Sequence, residues 1–278
     1  MTVLSPAKIN TSLRIFGKRS DGFHTIETRI VRLAFGDTVE IEHLGDGTEV
    51  HFTCSDPTVP SDESNLALKA LRAFENRVGR HSSWRIHLEK RIPHGAGLGG
   101  GSSNAATILR ASNQLLGSPL SQSDLLEIAA DIGSDVPCFL LDSTAADGTG
   151  RGEIVTPADF PHQLPLLLIK PPFPIPTPWA YQRWATSQEL AGISYGPQLC
   201  PWGSMVNDLE RPVFEKHLML PALKTWLLGQ NEVRAALMSG SGSTMFAITH
   251  SLEQAAALAE RARVWCGDTS WFQVTETA

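Results

Sequence analysis

The chain is short of several things, and each shortage narrows what it can be. It has only four cysteines, Cys54, Cys138, Cys200 and Cys266, far apart and with no Cys-x-x-Cys pair. That argues against a disulfide framework or a cysteine-rich zinc site and fits reduced thiols in a reducing compartment. No run of about 18 apolar residues is present, so no membrane-spanning helix is expected. Met1-Thr-Val-Leu-Ser-Pro has no basic stretch leading into an apolar one, so no signal peptide is expected and a cytoplasmic location is. Basic residues are in deficit, 23 Lys and Arg against 29 Asp and Glu, for a formal net charge of −6. A general nucleic-acid binder needs a basic surface, which this balance does not favour. A small phosphorylated ligand needs only a local positive site.

What is present is an ordinary globular composition, 42% hydrophobic and 19% charged, in 278 residues. That length can bury a large core and suits two subdomains of one enzyme. The first ~55 residues read as strands and turns, with Thr38-Val-Glu-Ile-Glu-His alternating at period two as a strand with one wet face. A helix is expected from Ser64 to about Val78, ended by Gly79, with Leu66, Ala70, Leu71, Phe74 and Val78 on its buried face. Trp84 to Ile92 alternates as another strand. A helix capped by Ser102 or Ser103 should run to about Leu116, and one starting near Ser121 to about Ile132. Residues 143–165 read as loop, and a soft boundary falls there. We place it as 1–155 and 156–278. Beyond it, Leu166 to Lys170 reads as a buried strand and Pro171 to Pro178 as an extended proline-rich connection. Helical text alternates with loops to about residue 236. Met245 to Ile248 reads as a strand, Leu252 to Val264 as a helix, and Ser270 to Val274 as a closing strand. Strands and helices mix without strict βαβ order, which indicates an α+β fold with sheets covered on one side.

The most informative segment is Pro93-His94-Gly95-Ala96-Gly97-Leu98-Gly99-Gly100-Gly101-Ser102-Ser103. Five of the seven positions from Gly95 to Gly101 are glycine, and a helix-forming run follows at once. Bare backbone beside a helix start lets N–H groups close around an anion, and the natural anion is a nucleotide phosphate. Three look-alikes separate on detail. A Walker A loop needs a lysine before the Ser/Thr, and none stands before Ser102. A dinucleotide fingerprint does match at Gly95, Gly97 and Gly100. Its strand, however, carries Arg85, His87 and Glu89, and no carboxylate stands about twenty residues on. A protein-kinase loop would be followed by a lysine strand and an HRD segment, both missing.

Pro93-His-Gly-Ala-Gly-Leu-Gly-Gly-Gly-Ser-Ser-Asn-Ala-Ala resembles the central motif of the galactokinase–homoserine kinase–mevalonate kinase–phosphomevalonate kinase (GHMP) superfamily. Ser5-Pro-Ala-Lys-Ile-Asn and Met238-Ser-Gly-Ser-Gly-Ser-Thr-Met-Phe-Ala resemble the two other motifs, in the expected order. Pro6-Ala-Lys-Ile-Asn, Asp21-Gly-Phe-His-Thr-Ile, Gly133-Ser-Asp-Val-Pro-Cys-Phe and Ile175-Pro-Thr-Pro are similar to the branch that acts on a CDP-linked methylerythritol in the non-mevalonate isoprenoid route. This resemblance implies the GHMP kinase fold: an N-terminal subdomain like domain 2 of ribosomal protein S5 and a ferredoxin-like C-terminal subdomain. It implies transfer of the ATP γ-phosphoryl to the C2 hydroxyl of CDP-methylerythritol.

The resemblance also implies roles. Asp135 would be the base and Lys8 its electrostatic partner. Pro93 through Ser103 would hold the ATP phosphates, with Asn65 and Lys90 facing the adenine. A Ser102 or Ser103 hydroxyl would reach the Mg2+ that accompanies ATP, with no other protein ligand to the metal. Asn10, Phe23, His24, Thr177 and Tyr181 would take the cytidine side, and Gly240 to Thr244 would help close the site. Phe23 stands where the family usually has tyrosine. Ala145 to Gly152 is unusually glycine-rich and polar. Read from the residues alone, Asp135 could instead cap a short helix, Asn65 another, and Lys8 and Lys90 could be solvated strand lysines. The competing functions are another GHMP kinase (mevalonate or homoserine), a catalytically silent ligand sensor on the same scaffold, and a nicotinamide enzyme. No nucleic-acid, membrane or protein partner is indicated, and both a monomer and a homodimer fit.

Overall fold

The computed structural model describes residues 1–278. It begins with two long antiparallel strands, β1 (Thr2–Lys18) and β2 (His24–Asp46), followed by β3 (Val50–Cys54), α1 (Leu66–Val78) and β4 (Ser82–Glu89). The glycine loop leads into α2 (Gly100–Leu115), then α3 (Gln122–Ile132), α4 (Val136–Leu140), β5 (Ala145–Thr149) and β6 (Ile154–Ala158). The rest is β7 (Pro165–Lys170), α5 (Thr177–Trp184), β8 (Gln198–Cys200), β9 (Gly203–Asn207), α6 (Glu210–Lys216), α7 (Met219–Leu228), β10 (Val233–Met238), β11 (Met245–Thr249), α8 (Leu252–Cys266) and β12 (Trp271–Glu276). No helix is long and apolar enough to cross a membrane.

The strands form two sheets. The first runs β3-β4-β2-β1-β9-β8, with β5 on β2 and β6 on β5; the second runs β10-β11-β7-β12. Helices α1 to α4 cover one face of the first sheet, over Val39, Ile41, Trp84, Ile86 and Leu88. Helices α5 to α8 cover one face of the second, over Leu167, Ile169, Ala236 and Ala247. Each sheet does carry helices on one side, as expected. The opposite faces, however, are not wet: they pack on each other through Ala7, Ile9, Val31 and Leu33 against Leu166, Leu168, Leu237 and Phe246. The continuous apolar run of β7 follows, because alternate residues serve two different cores. The division placed after residue 155 falls inside β6, and β9 returns to pair in parallel with β1.

Several local expectations change. Residues 145–158 are not loop but the β5–β6 hairpin, and Pro157 is tolerated because β6 is an edge strand. Strands β8 and β9 arise in text that reads as helix and loop. Helix α1 is capped by Asn65 rather than Ser64, its side chain accepting from Ala67 N at 2.9 Å. Helix α2 is capped by neither Ser102 nor Ser103. Its N-cap is Gly99 in the left-handed region (φ 70°), so the helix starts early and both serines fall in its first turn. Helix α3 starts on a reciprocal capping box between Ser121 and Asp124.

Glu75 shows what ties α1 to β4. Its side chain is fully buried and accepts from Ser82 N, Trp84 Nε1 and Arg72 Nη1, each at 3.0 Å. Burial alone pushes its carboxyl up, but these donors outweigh burial and hold it below the usual carboxylate value. A depressed carboxyl contributes stability above its unfolded value, and loses it as pH falls through the folded one. Glu75→Gln should therefore cost about 2 kcal/mol near neutrality. Urea unfolding should show that gap narrowing as the pH drops below the ordinary glutamate value of 4.5.

Candidate active site

The glycine loop alternates. Gly95, Gly97 and Gly99 have φ of 63°, 75° and 70°, while Ala96 and Leu98 between them are buried in the inter-sheet core. Left-handed residues at alternate positions make a concave nest of main-chain amides. The first turn of α2 adds N–H groups without intrahelical acceptors and the positive end of the dipole. The glycines are bare for different reasons. A Cβ on Gly97 would lie 2.2 Å from Ser239 O, and one on Gly99 would lie 2.9 Å from Lys8 Cγ. Those two permit close packing of other segments. At Gly95 and Gly101 the nearest atoms are 3.5 Å away, on Pro174 and Leu66, so packing does not demand glycine there.

All three glycine- and lysine-bearing segments meet at this loop. Lys8 N donates to Leu98 O at 3.0 Å. Ser239 Oγ donates to Gly97 O at 2.9 Å, and Thr244 N to Ala96 O at 3.3 Å. Asn207, at the end of β9, fixes the third segment by donating Nδ2 to Met238 O (2.7 Å) and Gly240 O (2.8 Å).

Lys8 is buried on β1, and its Nζ lies 3.2 Å from Asp135 Oδ2. Asp135 occupies the N-cap position of α4, yet its side chain makes no cap hydrogen bond. The capping alternative therefore fails on geometry: the carboxylate is turned to Lys8 and is 36% exposed. Lys8 also donates to Asn10 Oδ1 at 2.6 Å, and Asn10 Nδ2 donates to Thr28 Oγ1 at 2.8 Å. Residues two apart on a strand share a face, which places Asn10 beside Lys8. Both ends of its amide are engaged there, so Asn10 orients the lysine, although the sequence places it on the cytidine side.

On the far side of the cavity His24 is buried, its ring 5.5 Å from Tyr181 and 6.1 Å from Trp184. Burial, and then the charge of Lys18, lowers its pKa, so the imidazole is neutral near pH 7 and offers one donor and one acceptor. Burial, and then the Asp135 charge, pushes the Tyr181 phenol up. Phe23 is 49% exposed beside them. Thr177 and Ser241 hydroxyls are 2.7 Å apart, linking the start of α5 to the third segment. Phe23, His24, Thr177, Tyr181 and Ser241 line a cavity of about 690 Å³, together with Lys8, Asp135 and Pro93 through Ser102. That is an ordinary size for a small-molecule site.

Three sequence-derived site residues have partners within the chain, and one of them, Ser103, does not line the cavity, whereas Asn65 and Lys90 do. The Ser103 hydroxyl is buried against Ser5 Oγ at 2.8 Å and its N–H donates to Gly99 O, so Ser103 does not reach the cavity. Ser102 does. Asn65 lines the cavity, but its amide caps α1 and donates to Pro60 O at 2.7 Å. Lys90 is no solvated lysine: it pairs with buried Asp37, which also accepts from Arg91 N and Ile92 N at 2.7 and 2.8 Å and so fixes the entry to the loop. Sequence reasoning gave no role to Arg151, Ser134 or Gln182, all of which line the cavity. For Arg151 the signal was the polar, glycine-rich stretch itself.

A nest of amides at a helix start, opposite a lysine-held carboxylate, defines a phosphotransferase site. The model described as GHMP kinases N terminal domain matches residues 65–143, and that described as GHMP kinases C terminal matches residues 188–266. A 4-diphosphocytidyl-2-C-methyl-D-erythritol kinase from Methylacidiphilum infernorum is 43% identical over 275 residues, 98% of this chain and 95% of that one. One from Protochlamydia amoebophila is 40% identical over 252 residues, 88% and 83% of the two chains. A solved 4-(cytidine 5'-diphospho)-2C-methyl-D-erythritol kinase superposes with a TM-score of 0.79 at 30% identity over the whole of both chains. A homoserine kinase from Cytophaga hutchinsonii, at 21% identity and a TM-score of 0.69 over 100% of this chain and 94% of that one, shares the fold. The chain belongs to the GHMP kinase family, and within it to the 4-diphosphocytidyl-2-C-methyl-D-erythritol kinases.

Proposed function

We propose that this kinase transfers the γ-phosphoryl group of ATP to the C2 hydroxyl of 4-diphosphocytidyl-2-C-methyl-D-erythritol, giving the 2-phosphate and ADP. One observation carries the chemistry: the Asp135 carboxylate, free of capping duty, is held by Lys8 in the cavity that the glycine loop also lines. Asp135 takes the proton of the acceptor hydroxyl as its oxygen bonds to the γ-phosphorus, and the bond from that phosphorus to the β–γ bridging oxygen breaks to release ADP. Lys8 holds the carboxylate in place and offsets charge on the transferred group. The amides from Gly95 to Ser102 hold the phosphates in place, where positioning does most of the work.

ATP brings Mg2+ with it. The chain has no group of three or more His, Cys, Asp or Glu side chains placed to hold a metal, so the ion would sit chiefly on phosphate oxygens, with Ser102 the hydroxyl to reach it. Phe23, Tyr181 and neutral His24 suit a flat base with hydrogen-bonding edges, which favours a cytidine nucleotide over mevalonate or homoserine as acceptor. The Lys8–Asp135 pairing speaks against a silent sensor. The test offers the protein ATP and Mg2+ with CDP-methylerythritol, mevalonate or homoserine in turn. ADP release with the first alone, and a new 2-phosphate in the phosphorus NMR spectrum, is expected. Turnover of another alcohol instead, or none, rejects the assignment.

A further inference from the structure

An acceptor of this kind carries a diphosphate between its base and its reacting alcohol. Its two negative charges must lie between the cytidine clamp and Asp135. Three permanently basic side chains line the cavity, Lys8, Lys90 and Arg151. Lys8 is committed to Asp135 and Asn10, and Lys90 to Asp37 and Asn104. Their side chains are 3% and 8% exposed. Arg151 is 31% exposed, and its contacts are long: 3.6 Å to Glu153 Oε1 and 3.4 Å to Ala130 O. Most of its five N–H donors remain available.

The position of Arg151 is also built. Gly150 and Gly152 flank it at φ of 72° and 109°, a hairpin turn that only glycine adopts without strain. Arg151 N donates to Glu153 Oε2 at 2.8 Å, which fixes the turn. The guanidinium lies over the Phe23 ring, 4.9 Å from its centroid. On the other side Gly152 packs towards Ser134, the neighbour of Asp135. The turn therefore bridges the aromatic clamp and the candidate base.

We infer that Arg151 is a specificity-determining residue that receives the diphosphate of the acceptor, with Phe23 serving as the platform that holds its guanidinium. This rests on the cytidine-nucleotide acceptor of the proposed function. A planar cation pre-stacked on an aromatic face loses little freedom on pairing with a phosphate. It makes the site select nucleoside diphosphate conjugates over nucleosides.

The experiment compares calorimetric Kd values for cytidine and CDP on the wild type, Arg151→Gln and Arg151→Lys, with KM for CDP-methylerythritol and for ATP alongside. The wild type should bind CDP about tenfold or more tighter than cytidine. Arg151→Gln should bring that ratio to about one, leave the cytidine Kd within about twofold, and raise KM for the CDP substrate about tenfold without moving KM for ATP. Arg151→Lys, which keeps the charge but not the stacked planar fork, should retain part of the preference, between the wild type and the glutamine variant. The inference is overturned if Arg151→Gln keeps the preference, or if it weakens cytidine as much as CDP, which would mean that the arginine only props Phe23. It is also overturned if the lysine variant loses as much as the glutamine. Wild-type turnover of CDP-methylerythritol alongside any of these results sinks this inference alone. Absence of that turnover sinks the functional reading itself.

Discussion

Asp135→Asn is expected to give a folded protein that binds ATP normally and turns over about a thousandfold more slowly. Folding should survive for a structural reason. The wild-type carboxylate makes no cap hydrogen bond to α4, and asparagine has its shape. Asp135 is also partly open to the cavity, so no buried cavity or orphaned core group is created. The loss falls on the chemical step. An amide oxygen cannot take a proton near neutrality, and Lys8 loses its ionic partner while Asn10 still holds it in place. Because phosphoryl transfer runs through a loose transition state, the size of the loss is informative. A thousandfold loss marks proton removal and charge placement at the acceptor. A loss of less than about tenfold would mean that positioning alone carries the rate, and Asp135 would lose its assignment as base. The measurement is kcat at saturating ATP and acceptor, with a thermal melt and an ATP titration on the same sample to exclude misfolding.

How much of this was legible in the sequence differs by feature, and the reasons are physical. The capping box at Ser121 and the stop at Gly79 were readable because each is decided within one turn of chain. The helix start at Gly99 was misread because a serine at the right place is a good cap anywhere, and only the left-handed turn before it excludes that role. The β5–β6 hairpin was hidden by its own glycines and Pro157, which mark loops in isolation and edge hairpins in a sheet. The packing of sheet on sheet was hidden too, since a period-two strand shows which face is apolar but not what covers it. In the site, residue types were legible and juxtapositions were not. Nothing in spacing brings Lys8 to Asp135; β1, the glycine loop and α4 do so through tertiary packing alone. Lys90 and Asn65 line the cavity, but their partners within the chain, Asp37 and Pro60, were not legible because they lie outside any motif.

The glycines of the loop should separate under substitution, and the separation tests the account of why each is bare. Gly97→Ala is expected to be severely destabilising. The position has φ 75°, which costs an alanine about 1 kcal/mol, and the new methyl would sit 2.2 Å from Ser239 O and 3.1 Å from Gly242 O. Both atoms are main chain, so the third segment must move away as a unit. It would forfeit the Ser239 Oγ bond to Gly97 O and the Thr244 N bond to Ala96 O, each worth about 1 kcal/mol. A total near 3 kcal/mol follows, enough to lower the melting temperature of a chain this size by about 6–12 °C. Gly101→Ala meets only Leu66 Cδ1 at 3.5 Å, in ordinary helical backbone at the exposed start of α2. Alanine favours a helix by about 1 kcal/mol over glycine, so the melt should hold or rise. Its methyl, however, would intrude where the triphosphate meets the helix start, and ATP binding should weaken about tenfold. Should Gly97→Ala melt like the wild type, the third segment does not pack on the loop as described. Should Gly101→Ala bind ATP unchanged, the phosphates do not lie against the first turn of α2, and the nest between Gly95 and Gly99 alone would have to hold them.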